Sequence, residues 1–166
     1  VLFLMKEYDL SLIDIGSGLG VFPYSAKLEG WHCTALDPDP NAAKHLKDIL
    51  KIETIEANFF ELVTSRKYKL LTLNKVLEHV IDPVKMLKKT RDLLEVDGYV
   101  YIEVPDGEMA SSDSMLREEF FIEHYHVFSM TSLIMMIKAC NFIPVKVERI
   151  REPSGKYTLY AFLKLK

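Results

Sequence analysis

Cysteine is scarce in this chain: Cys33 and Cys140 are the only two in 166 residues, and neither sits in a CxxC pair or a Cys/His ligand spacing. That argues against a disulfide scaffold or a metal site, and points to two buried thiols in a reducing cytoplasm. Long apolar runs are absent as well, so no segment approaches the length that spans a bilayer. Val1 to Met5 is apolar but short, and no basic region precedes it, which does not fit a signal peptide. Charge of one sign is not in excess, since 21 Lys and Arg face 24 Asp and Glu. A formal net charge of −3 argues against a chain built to coat nucleic acid or an anionic membrane. Repeats, low-complexity tracts and linkers are missing too.

What is present is a chain with 49% apolar residues, enough for one domain over residues 1–166 with a sizeable core. The first strand comes so early that an N-terminal cap segment is expected to be missing. Leu12, Ile13 and Ile15 read as a buried parallel strand with Asp14 inside it, followed by Gly16, Gly18 and Gly20 at alternate positions. A dinucleotide fingerprint would need glycine at position 21, which is Val21. Asp37 ends the next apolar run, about 20 residues after Gly16, the offset at which an acidic side chain reaches a nucleoside ribose.

Taken in order, the pattern alternates strand and helix. Pro23 to Leu28 continues a helix stopped by Gly30; Trp31 to Leu36 is a strand; Asp39 caps a helix with Pro40 at its first position. Ile52 to Ala57 and Lys69 to Leu73 are strands three and four. Asp82 and Pro83 start a helix whose apolar stripe runs Val84, Leu87, Leu93 and Leu94, and Asp97-Gly98 closes it in a tight turn. Tyr99 to Val104 is strand five. Residues 106–128 show little periodicity and read as a lid or binding loop crowded with Glu123, His124 and His126. Ser129 caps a last helix, and Ile143 to Ile150 and Tyr157 to Leu165 form an antiparallel hairpin around Pro153 and Gly155.

Asp14-x-Gly16-x-Gly18-x-Gly20 resembles the E/D-x-G-x-G-x-G motif of class I S-adenosylmethionine-dependent methyltransferases. Val76-Leu77-Glu78-His79-Val80-x-Asp82-Pro83 is similar to the segment after strand four in the small-molecule branch related to the ubiquinone-biosynthesis O-methyltransferases. Glu123-His124, Phe128-Ser129, Ser132-Leu133 and Asn141-Phe142 resemble the tail of the same branch, so the likeness spans essentially the whole chain. It implies an α/β Rossmann-like fold: a seven-stranded, mostly parallel sheet in the order 3-2-1-4-5-7-6, helices on both faces and a C-terminal antiparallel hairpin.

The resemblance also implies roles. S-adenosylmethionine would be the cofactor, with Gly16, Gly18 and Gly20 against its methionyl part, Asp14 near the amino group and Asn74 offering its backbone to the amine. Asp37 would accept from the ribose hydroxyls, Pro38 would flank the adenine, and Asn58 and Phe59 would meet the base at edge and face. His124, with Glu123 and His126, would be the catalytic candidates, because imidazole titrates near neutrality and can take a proton from an acceptor. Glu123-His124 also resembles a pair in some deoxysugar C-methyltransferases, whose zinc-binding cysteine-rich segment has no counterpart here. Glu78-His79 is expected to play a structural or cofactor-side role. No Asn/Asp-Pro-Pro-Tyr/Phe segment follows strand four, so the expected partner is a small-molecule acceptor and not a nucleic-acid base. Two other readings stand beside this one: a nicotinamide-dependent oxidoreductase, and a domain that binds the cofactor without turnover.

Overall fold

Alternating side chains along each strand send Leu12 to one face of the sheet and Ile13 to the other, and helices cover both. The computed structural model describes residues 10–114, 116–120 and 123–166; the stretch Val1 to Met5 lies outside them. The sheet has seven strands in the order β3-β2-β1-β4-β5-β7-β6, the order expected from the sequence. Strand β1 (Ser11–Ile15) is wholly buried and pairs in parallel with β2 (His32–Asp37) and β4 (Tyr68–Asn74). Strand β3 (Glu53–Glu56) extends the sheet beyond β2, and β5 (Leu94–Pro105) runs parallel to β4 on the other side. The hairpin of β6 (Phe142–Arg151) and β7 (Tyr157–Leu165) docks antiparallel, with β7 against β5.

Helices α1 (Val21–Leu28) and α2 (Pro40–Asp48) lie on the face that buries Leu12, Ala26, Trp31 and Leu46. On the opposite face α3 (Pro83–Lys89) and α5 (Met130–Ala139) pack Leu87, Leu133 and Ile137 over Ile13, Leu71 and Ile102. The caps follow the sequence. Asp39 accepts from the Asn41 amide at 2.9 Å, Asp82 from Lys85 at 2.8 Å, and Ser129 and Ser132 form a reciprocal capping box. Cys33 and Cys140 are free and buried, as expected. No helix among the described residues is long and apolar enough to cross a membrane.

Two local expectations are corrected. Helix α3 stops at Lys89 and gives way to a 3₁₀ turn over Thr90–Leu93, where the Thr90 hydroxyl donates to the Leu87 carbonyl at 2.7 Å and competes with the helical ladder. Leu94 then opens β5, and Asp97-Gly98 falls at a register shift inside that strand, not at a helix end. The second correction lies in 106–128. That connection contains helix α4 (Gly107–Asp113), whose first amides are capped by the carboxylate of Asp106.

Candidate active site

The carboxyl ends of β1, β2 and β4 meet at the glycine turn, the place where open α/β sheets bind ligands. The turn is cross-linked by its own backbone. The Gly16 and Ser17 amides donate to the Leu36 carbonyl at 2.8 and 3.2 Å, and the Ser17 hydroxyl donates to the Asp14 carbonyl at 2.8 Å. Gly16 has φ +73°, and a Cβ there would come within 2.8 Å of the Val76 side chain. Gly20, at φ +78°, leaves no room either: a Cβ would strike Leu46 and Leu50, so this glycine also seats the turn on α2.

Two cavities open on either side of the turn and share Gly16 and Lys75 in their walls. The larger, about 740 Å³, is lined by Asp37, Pro38, Asn58 and Phe59 among others. Asp37 is buried, and its two carboxylate oxygens accept from the Gly18 amide at 2.7 Å and the Asp39 amide at 2.9 Å. Gly18 lines neither cavity and contributes that N–H instead. Asn58 caps a short 3₁₀ turn by accepting from the Phe60 amide at 3.0 Å, and the turn sets the Phe59 ring between the core and the cavity wall.

The second cavity, about 470 Å³, is lined by Asp14, Ser17, Gly20 and Asn74. Asp14 is buried and accepts from the Thr72 hydroxyl and from Asn74 Nδ2 at 3.2 Å. Burial outweighs those donors and pushes its carboxyl up to about 6, with the Asp37 charge adding to the rise. Asn74 Oδ1 is buried without a hydrogen-bond partner among the described residues. An ammonium group fits beside this pair, because it supplies donors for the orphaned oxygen and a positive charge for the carboxylate.

A third cavity, about 350 Å³, adjoins both and again includes Lys75. Lys75 follows β4 in the left-handed region at φ +54°, and its ammonium reaches Glu152 at 3.1 Å and the Thr158 hydroxyl. Here Glu78, His79 and His124 converge, and one carboxylate oxygen and one ring nitrogen of each histidine lie within 4.8 Å of one another. His124 Nδ1 meets the Glu119 carbonyl at 3.0 Å and His79 Nδ1 the Glu123 carbonyl at 3.1 Å, with the two rings edge to face. A carbonyl can only accept, so each Nδ1 carries a proton and Nε2 is the ring nitrogen left to meet a ligand. Glu78 is 1% exposed, and its Oε2 has no hydrogen-bond partner among the described residues. Burial pushes its carboxyl up to about 7, against the pull of Lys75 and His124.

Of the three catalytic candidates, the structure brings Glu123 and His124 to this cavity; His126 lies outside it, where its Nε2 meets the Ile81 carbonyl at 3.2 Å. Sequence reasoning missed the pairing of Glu78 and His79 with His124. The Glu-His doublets themselves are visible in the sequence, but their contact arises only when the segment before Phe128 folds back over the end of β4. Glu119 fixes that segment. It is buried and held by the Arg117 guanidinium at 2.9 and 3.1 Å and by the Tyr157 amide at 3.0 Å.

The fold recurs in known structures. A 1,6-didemethyltoxoflavin-N1-methyltransferase from Burkholderia thailandensis, crystallised with 1,6-didemethyltoxoflavin and S-adenosylhomocysteine, superposes with a TM-score of 0.76 over 99% of this chain and 75% of its own, at 19% identity. The N-methyltransferase NodS from Bradyrhizobium japonicum WM9, crystallised with S-adenosylhomocysteine, gives 0.75 over 99% and 82%, at 14% identity. The PH0226 protein of Pyrococcus horikoshii OT3 gives 0.79 over 99% and 86%, at 17% identity. Among curated proteins no sequence matches this chain. A family model described as a methyltransferase domain matches residues 1–147. With the glycine turn, the strand order and this match together, the chain belongs to the methyltransferase domain family and carries the class I, S-adenosylmethionine-dependent form of its fold.

Proposed function

We propose that this chain transfers the methyl group of S-adenosylmethionine to a small-molecule acceptor seated in the cavity of Glu78, His79 and His124. The observation that carries the reading is the shared wall: Gly16 and Lys75 join the two cavities at the glycine turn, and Lys75 joins both to the third. A cofactor bridging the first two would thus present its reactive centre to the third. Two proteins of the same fold, both distant from this chain in sequence, are N-methyltransferases crystallised with S-adenosylhomocysteine, which supports the same cofactor here.

The cofactor supplies a cationic sulfonium whose methyl carbon is open to in-line attack. The chain's residues do the rest. Asp37 takes the ribose hydroxyls with the lone pairs left over from the Gly18 and Asp39 amides, while Pro38, Asn58 and Phe59 hold the adenine. Asp14 and Asn74 Oδ1 receive the methionyl ammonium, and Gly16, Gly18 and Gly20 keep the turn close to it. His124 Nε2 takes a proton from the acceptor. Glu123 pins His79 through its carbonyl, and His126 anchors the adjoining segment to Ile81. Alignment and exclusion of water supply the rate, an effect worth about 7 to 11 kcal/mol in well-oriented systems. The two buried free thiols suit a reducing cytoplasm.

Calorimetric titration with S-adenosylhomocysteine, and with NAD in a parallel cell, tests the cofactor assignment. Saturable binding of the first alone is expected. Binding of NAD alone would replace the proposal with an oxidoreductase.

A further inference from the structure

The three groups that converge in the acceptor cavity have one property in common: with Glu78 ionised and both imidazoles neutral, each presents an accepting atom. Glu78 offers a buried carboxylate oxygen with no partner among the described residues, and His79 and His124 offer Nε2, because their Nδ1 atoms are committed to backbone carbonyls. A ligand that satisfies all three must bring several donors on one atom. A hydroxyl brings one and leaves two acceptors unmet; a carboxylate brings none.

We propose that this cavity receives its acceptor as a protonated amine, whose ammonium nitrogen donates to the Glu78 carboxylate and to Nε2 of His79 and His124. The proposal rests on the methyl-transfer reading above and narrows its acceptor to a basic nitrogen. Geometry admits it: acceptors arranged tetrahedrally at about 2.9 Å from an ammonium nitrogen stand about 4.7 Å apart, inside the 4.8 Å that bounds the separations of one atom from each of the three residues. Charge points the same way. Both lysines of the cavity are already engaged, Lys75 with Glu152 at 3.1 Å and Lys156 with Glu118 at 2.9 Å, and Glu119 is held by Arg117. Glu78 and Glu123 are left without an ion-pair partner among the described residues, so an incoming ammonium finds both free to pair with it. The unliganded Glu78 carboxyl, poised at about 7, gives up its proton when a cation arrives beside it.

The step balances without another reactant. One N–H bond breaks and its proton goes to His124 Nε2. The freed amine nitrogen then inverts, which turns the released lone pair from His124 toward the methyl carbon; it bonds there, and the carbon–sulfur electrons leave on sulfur, giving a methylated ammonium and a neutral thioether.

The test is calorimetry of the intact chain, with and without saturating S-adenosylhomocysteine, against benzylamine, benzyl alcohol and benzoate at about pH 7.5, where the amine is protonated. Benzylamine is expected to bind at least about tenfold more tightly than either analogue, and Glu78→Gln to erase that preference while leaving S-adenosylhomocysteine affinity unchanged. His124→Asn provides a second variant, expected to weaken benzylamine alone. Equal affinity for amine and alcohol, a preference for benzoate, or an amine preference that survives Glu78→Gln overturns the proposal. So does one-to-one zinc binding that Glu78→Gln abolishes without any amine preference, which would make the cavity a metal centre. Failure of the wild type to bind S-adenosylhomocysteine, by contrast, counts against the cofactor reading, and the titrations without it still decide the amine.

Discussion

Replacing Asp14 with asparagine asks which of two opposing forces governs the base of the cofactor cavity. Burial favours the neutral carboxyl, whereas the Thr72 hydroxyl and the Asn74 amide favour the carboxylate. Burial wins in the structure, raising the carboxyl from 3.8 to about 6. The folded chain therefore holds this proton more tightly than the unfolded chain does. The stability that Asp14 contributes is full below about pH 4 and is lost as pH rises through about 6, a total of about 3 kcal/mol. The Asp14→Asn side chain keeps an oxygen for Thr72 and Asn74 but carries no titrating group. Urea unfolding of both proteins from about pH 4 to about pH 8 should show the variant gaining about 3 kcal/mol on the wild type across that range. A constant difference would mean that Asp14 does not change its affinity for protons on folding. A difference that moves the other way, with the wild type gaining as pH rises, would mean the donors win and the reasoning is wrong. Saturating S-adenosylhomocysteine should flatten the wild-type dependence, because its ammonium stabilises the carboxylate.

His124→Ala should lower turnover by about 10²- to 10⁴-fold at unchanged cofactor affinity, read by product formation and calorimetry; equal loss of both would leave the residue a structural role only. Asp37→Ala should weaken S-adenosylhomocysteine binding and also cost about 1 to 3 kcal/mol of stability, since the Gly18 and Asp39 amides lose their acceptor. Unchanged affinity there would sink the ribose assignment. Gly16→Ala should destabilise the fold by about 1 to 2 kcal/mol, and Val76→Ala in the same chain should recover the steric part but not the strain at φ +73°. Thermal unfolding of the single and double variants separates the two.

The strands were legible because each is a short apolar run closed by a turn residue, and the short Pro153–Gly155 connection left only an antiparallel pairing for the last two; their order in the sheet came from the family resemblance. The caps at Asp39, Asp82 and Ser129 were legible for the same local reason. Helix α4 was not, since Gly107 and Ala110 are its buried residues and give no apolar period to detect. The end of α3 was misplaced because Leu93 and Leu94 extend its stripe in sequence, although Leu94 belongs to the next strand. Asp37 and the glycines stood out by their spacing along the chain, and the Gly18 amide meets the Asp37 carboxylate at 2.7 Å. The meeting of Glu78 and His79 with His124 depends on how the segment anchored by Glu119 and Arg117 crosses the sheet, which no local pattern encodes.

The buried Glu119–Arg117 fork has a consequence for how such a protein can diversify. It fastens the segment before His124 to the start of β7 through the Tyr157 amide, whereas Asp14 and Asp37 sit on β1 and β2 on either side of the glycine turn. Substitutions around that fork can therefore reshape the cavity of Glu78, His79 and His124 while the backbone path is kept by a clamp whose Glu119 carbonyl still meets His124 Nδ1. The glycine turn need not change with them, so the wall of this cavity can be recast by a few exchanges at positions such as Glu118 and Glu123.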